Sequence, residues 1–254
     1  MKNGEIDIRS KLKNYWFLFF LMLYLIGLGL NENGFSWEAY KAVEASDKSY
    51  IEFYTVDFPY NIKLLEKELG SIIPADRNFI ESFKVLEEAK NKNVALLVYG
   101  SPLTATTHIS LIQEAKKRSI KVKIIHNASV FDAIAETGLQ LYKFGRTTSL
   151  PNFGANSYLD VVKDNLKIKA HTLILVDIGM DFRDAIGKLV RDSKDKGVKL
   201  EKVVVCSRLG NKDSSIYYNS IDKLKAKKIK APFCIIVPSE LHFMEEEFLE
   251  GFGK

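Results

Sequence analysis

The stretch Val94-Ala-Leu-Leu-Val-Tyr99-Gly100-Ser101-Pro102-Leu103-Thr104-Ala105-Thr106-Thr107-His108 decides the fold. Its first six residues are an unbroken apolar run of strand length. An all-apolar strand is buried on both faces, as in a parallel sheet covered by helices. The run stops at Gly100 and Pro102, which punctuate a turn. Hydroxyl side chains follow, and then the helical spacing of Ile109, Ile112 and Ala115 within an expected helix over 105–118. Strand, turn and helix in that order form the repeating unit of an α/β fold. In such folds ligands gather where strand ends meet helix starts.

The same alternation runs outward in both directions. Strands are expected at 22–27, 50–54 and 121–126, with helices at 36–46, 61–69 and 78–92. Further on, strands are expected at 171–178, 202–207 and 233–237, with helices at 181–196 and 240–249. A helix opens at Ser129, with Asp132 completing a capping box, and Gly138 stops it. The sheet is expected to be largely parallel. The pattern divides into an N-terminal α/β domain, 22–127, and a C-terminal α/β domain, 128–254.

Residues 1–21 stand apart as an N-terminal extension. The uncharged run Tyr15–Leu30 is shorter than the ~20 residues a bilayer core needs. From Met22 it reads instead as a buried first strand ending in Gly27-Leu28-Gly29-Leu30. A membrane role is therefore not expected.

Composition narrows the function classes. The 254 residues are 46% hydrophobic, enough for real cores, and 27% charged. The 37 Lys and Arg against 32 Asp and Glu leave a net charge of only +5, too scattered for a nucleic-acid surface. Cys206 and Cys234 each sit inside an apolar run and read as core residues, which suits a reducing cytoplasm. No phosphate loop, metal-ligand spacing or serine-hydrolase elbow is present in the sequence. Four strand-end turns remain as candidate chemistry: Gly27–Leu30, Tyr99–His108, Ile125–Val130 and Ser207–Gly210.

Taken in order, these turns resemble the diphthine synthase family. The resemblance rests on Leu23–Leu30, on Glu52-Phe-Tyr-Thr55, and above all on Ala105-Thr-Thr-His108 with Tyr142-Lys-Phe-Gly145. It continues through Ser157-Tyr-Leu-Asp160, Val176-Asp-Ile178 and Ile236–His242. It implies the tetrapyrrole methylase type of fold, two α/β domains with S-adenosylmethionine folded into the cleft between them. It implies a homodimer that methylates the amino group of a 3-amino-3-carboxypropyl chain. That chain is carried on a histidine of translation elongation factor 2, and the product, diphthine, is an intermediate of diphthamide.

Carried over by position, the cofactor contacts are Leu30, Ser101, Thr104, Ser129, Val130, Val176, Leu209 and Phe233. Lys143 or Arg146 is expected to meet the substrate carboxylate. Three positions depart from the family. Ser101 stands where an aspartate is usual, and Leu209 and Phe233 replace an alanine and a histidine. The hydroxyl at Ser101 keeps a non-catalytic, protein-binding relative in play, whereas Thr106-Thr107-His108 argues against a tetrapyrrole substrate.

Overall fold

The computed structural model describes residues 21–253. The expected extension, 1–21, lies outside the described residues except for Leu21. Met22–Gly27 forms strand β1, so the apolar run of the N-terminus ends in a sheet. Among the described residues no helix is long and apolar enough to cross a membrane.

Two five-stranded sheets carry the molecule. The first contains β1, β2 (Lys48–Glu52), β3 (Ile73–Ala75), β4 (Val94–Val98) and β5 (Lys121–Ile125), in the order β3-β2-β4-β1-β5. Every pairing in it is parallel. Successive side chains of β1 and β4 point to opposite faces. Leu23, Leu25, Val94 and Leu96 join one core, while Tyr24, Ile26, Ala95 and Leu97 join the other. That two-sided burial explains why neither strand alternates with polar residues.

The second sheet contains β6 (Thr148–Leu150), β7 (Thr172–Val176), β8 (Lys202–Ser207), β9 (Ser215–Ser220) and β10 (Phe233–Val237), in the order β6-β7-β10-β8-β9. Only β6 and β7 are parallel here; the other three pairings are antiparallel. The expectation of a largely parallel sheet thus applies to the first half alone. Strand β9 escapes sequence reading because Ser215-Ile-Tyr-Tyr-Asn-Ser220 is half-buried throughout and carries no apolar run. The helix Tyr158–Lys167 was likewise not expected.

Two expected helices are corrected. The segment 78–92 is two short helices, Arg77–Glu81 and Lys84–Ala89, joined through Phe83 at φ 61°. Asp76 caps the first by accepting from Phe79 N at 2.7 Å. The helix expected from residue 105 begins only at Ile109. The Pro102 carbonyl is already taken by Thr106 Oγ1 at 3.1 Å and His108 Nδ1 at 3.0 Å. Side chains satisfy that acceptor, so the chain stays coiled in turns over 101–108. The capping box at Ser129 and Asp132 forms as read, and Gly138 closes the following turn at φ 78°.

The strands of the first sheet end by Ile125 and those of the second start at Thr148. The two halves are joined directly beside the end of β1. Asn31 Nδ2 donates to Gly210 O at 2.9 Å, and Asn211 Nδ2 donates to Leu30 O at 2.7 Å. Tyr99 Oη donates to the same Leu30 carbonyl at 3.0 Å.

Candidate functional site

The turns after β1 and β4 are clamped together. Gly29 N donates to Gly100 O at 3.1 Å, and Gly100 N returns to Gly29 O at 2.9 Å. A Cβ on Gly27 would lie 2.6 Å from Gly100 O and 2.9 Å from Pro102 Cδ, so only glycine permits this approach. Gly100 itself sits at φ 71°, a conformation that a side chain disfavours. These glycines bring the ends of two strands to one point, the switch point of the sheet where a crevice opens.

A cleft of about 490 Å³ opens there, between the two sheets. That volume suits a cofactor-sized ligand. Five of the sequence-expected contacts line it from the first three turns: Leu30, Ser101, Thr104, Ser129 and Val130. The other three, Val176, Leu209 and Phe233, line it from the second half. All eight therefore meet around one space, although Leu30 and Phe233 are some two hundred residues apart. Ser129 spends its hydroxyl on the capping box, donating to Asp132 Oδ2 at 3.0 Å and accepting from Phe131 N at 3.2 Å. Cys206 and Cys234, opposite each other on β8 and β10, are free, buried and part of the same wall. A neighbouring thiol and burial both push the Cys206 thiol well up, so it stays protonated.

Lys143 and Arg146 stand outside the cleft lining. The Lys143 ammonium pairs with the buried Glu245 carboxylate and donates to Glu240 O at 2.9 Å. Arg146 is exposed, with its backbone held by Asn165 on both sides. Neither side chain lines the cleft: the 143–145 segment pairs with His171 at the start of β7, whereas the cleft is lined by Leu175 and Val176 at that strand's end.

Sequence reading missed the opposite end of the cleft. Arg77 and Glu81 line it from the first domain, beside Tyr54, Thr55, Thr106 and Thr107 of the motifs already quoted. Arg77 and Glu81 reach the cleft because β3 sets their short helix against the end of β2, and that three-residue strand leaves no readable period. The signal available was Glu52-Phe-Tyr-Thr55, which places Glu52, Tyr54 and Thr55 at the end of a buried strand.

Beneath this end lies a buried His–Glu contact. His108 Nε2 is 3.2 Å from Glu52 Oε2, and both side chains are 1% exposed. Thr55 Oγ1 donates to the other Glu52 oxygen. Burial alone would lower the His108 pKa, but the Glu52 hydrogen bond and charge, with the Pro102 carbonyl, raise it above its ordinary value. The contact ties the end of β2 to the 101–108 loop.

Residues 22–225 match the family of tetrapyrrole (corrin/porphyrin) methylases. A diphthine synthase from Methanococcus maripaludis is 38% identical over 251 residues, covering 90% of this chain and 98% of that protein. One from Methanocaldococcus jannaschii shows the same identity and coverage. This chain belongs to the diphthine synthase family. A solved diphthine synthase superposes with a TM-score of 0.85 at 32% identity, covering 91% of this chain and 96% of the other. A candidate diphthine synthase from Entamoeba histolytica gives 0.83 at 34% identity, with 92% and 98% covered.

Proposed function

We propose that this protein is an S-adenosylmethionine-dependent N-methyltransferase. Its acceptor is the amino group of the 3-amino-3-carboxypropyl chain on a histidine of translation elongation factor 2, and its product is diphthine. The observation that carries the reading is the convergence of Leu30, Ser101, Thr104, Ser129, Val130, Val176, Leu209 and Phe233 on one cleft. Family membership supplies the reaction, and the cleft supplies a place for it.

The donor set fits the cofactor. Apolar side chains from Leu30, Val130, Val176, Leu209 and Phe233 offer flat contacts for a purine, and the Ser101 and Thr104 hydroxyls offer polar ones. When bound, S-adenosylmethionine provides a methyl group on a sulfonium as the electrophile. The chain's own task is to align the acceptor amine behind that methyl and exclude water. An α-amino group has a pKa of about 8, so roughly a tenth is neutral at pH 7. No side chain is required as a general base.

A cytoplasmic site of action fits both the acceptor and the two free, buried cysteines. A homodimer fits the exposed apolar side chains Tyr142, Phe243, Met244 and Phe248 around the last helix.

Mass spectrometry tests the reaction. Elongation factor 2 carrying the 3-amino-3-carboxypropyl group is incubated with the protein and S-adenosylmethionine. The expected result is a gain of one to three methyl groups that survive mild alkali, as N-methyl groups do and a methyl ester does not. No gain, or an alkali-labile one, overturns the assignment. Ser101→Asp tests the cofactor half. Restoring a charged acceptor is expected to tighten S-adenosylmethionine binding about tenfold, the worth of one charge-assisted hydrogen bond. Weaker binding, read by calorimetry, would mean that the turn holds the cofactor differently.

A further inference from the structure

Resting on the methyltransferase reading, we propose that the first-domain end of the cleft is the acceptor subsite, and that Arg77 there binds the acceptor's carboxylate. The acceptor chain bears an amine and a carboxylate on one carbon. Fixing the carboxylate fixes where the amine points, so the cleft needs a cation with donors to spare.

Among the described residues two cations line the cleft, Arg77 and Arg208. Arg208 is committed. Its Nε donates to Ala231 O at 2.7 Å, and Nη1 pairs with Asp213 at 2.8 Å. Arg77 is not. Its nearest anion, Glu81, lies 3.6 Å away on the same exposed helix turn, with the two side chains 63% and 48% exposed. An exposed pair at that distance holds the guanidinium weakly, and a carboxylate binding as a bidentate partner displaces it.

The guanidinium is nevertheless aimed. Its Cζ sits 5.2 Å from the centre of the Tyr54 ring, which orients the planar fork over the cleft wall. Tyr54 follows two residues after Glu52, which faces the buried His108. The Tyr54 hydroxyl is buried with no hydrogen-bond partner of normal geometry, a second unmet polar group at this end. None of the eight expected cofactor contacts lies among Tyr54, Arg77, Glu81 and Thr107, so the cofactor leaves this end open. Glu81, beside the guanidinium, gives the amine a partner of opposite charge. Arg77 and Glu81 together mirror the charges of an α-amino acid.

The test separates acceptor from cofactor. Wild type, Arg77→Ala and Arg77→Lys are compared for methylation of the modified elongation factor and for S-adenosylmethionine binding by calorimetry. Loss of a charge-assisted contact is expected to raise KM for the factor about tenfold or more in Arg77→Ala, with cofactor Kd changed by less than about twofold. Arg77→Lys falls between, since it keeps the charge and loses the fork. Wild type is also expected to bind the modified factor more tightly than the unmodified one, and Arg77→Ala to lose that preference. Because the side chain is largely exposed, melting temperatures should stay together; Arg77→Gln serves if Arg77→Ala does not fold. An unchanged KM in an active variant, or a cofactor Kd that rises with KM, overturns this proposal and leaves the methyltransferase reading standing. A wild type that neither binds S-adenosylmethionine nor methylates the factor overturns both.

Discussion

Each half of the molecule buries one His–Glu pair, and the two histidine pKa values are shifted in opposite directions. In the first domain His108 faces Glu52 across 3.2 Å; in the second His171 faces Glu245 across 3.2 Å. All four side chains are at most 1% exposed. The other ring nitrogen explains the difference. His108 Nδ1 meets the Pro102 carbonyl, which can only accept, so that nitrogen carries a hydrogen, and the Glu52 carboxylate facing Nε2 favours the charged ring. His171 Nδ1 meets the Ser239 amide, which can only donate, so that nitrogen is bare and the ring is neutral.

The charge on each carboxylate is balanced accordingly. Glu245 has Lys143 as its cation, together with the Gln140 and His242 amides. Burial pushes its pKa up, but Lys143 and those amides outweigh it and bring it down to about 2. Burial lowers the His171 pKa, and the nearby Lys143 charge adds to that against the pull of Glu245. Glu52 has no lysine, so His108 supplies the positive charge. An identical pair of residue types thus has its histidine pKa raised in one domain and lowered in the other.

The largest expected effect comes from removing the cation of the second pair. Lys143→Met leaves Glu245 buried without its lysine and should destabilise the protein by about 3 kcal/mol. The His171 pKa should rise in that variant, measured by NMR titration. If stability falls while the His171 pKa stays put, the lysine is not what separates the two pairs. Next, Glu52→Gln removes the anion that holds His108 charged. It should cost about 2 kcal/mol near pH 6 and markedly less at pH 9, as read from melting curves. Equal losses at both pH values would break the assignment of charge to His108.

The smallest effect is the pH dependence of the unmodified protein, and the signs differ between domains. The His108 pKa is raised from 6.5, so its stabilisation is present below 6.5 and is lost as pH rises through the folded value. The His171 pKa is lowered from 6.5, so its contribution is present above 6.5 and is lost as pH falls through the folded value. Glu245 adds stability above 4.5 that disappears as pH falls toward about 2. Histidine-resolved NMR should show one buried ring titrating above 6.5 and the other below it. Two rings titrating together would remove the contrast.

Much of the first domain was legible in the sequence because its strands are buried on both faces. Leu23–Ile26 and Val94–Val98 need no partner to be recognised, since an uninterrupted apolar run of that length has few other uses. The second domain was less legible. Thr148–Leu150 is too short to show a period, and Ser215–Ser220 is half-exposed, so β6 and β9 left no pattern. The break at Phe83 had no glycine or proline to announce it.

The candidate site divides in the same way. Its cofactor end stands on strand-end turns, where Gly100, Pro102 and the Ser129 cap are local signals that a sequence carries openly. Its other end depends on Arg77, which only the docking of β3 against β2 brings beside Tyr54. Lys143 shows the reverse. Its place inside Tyr142-Lys-Phe-Gly145 suggested a ligand, and the fold sets it against Glu245, more than a hundred residues on. The sequence by itself determined the strand–turn–helix units, the caps and the family, because those follow from short-range periodicity and steric rules. Only the tertiary structure decided which charges are weakly paired and which way each buried histidine's pKa is shifted. Those depend on what is opposite a side chain in space, and no local spacing encodes that.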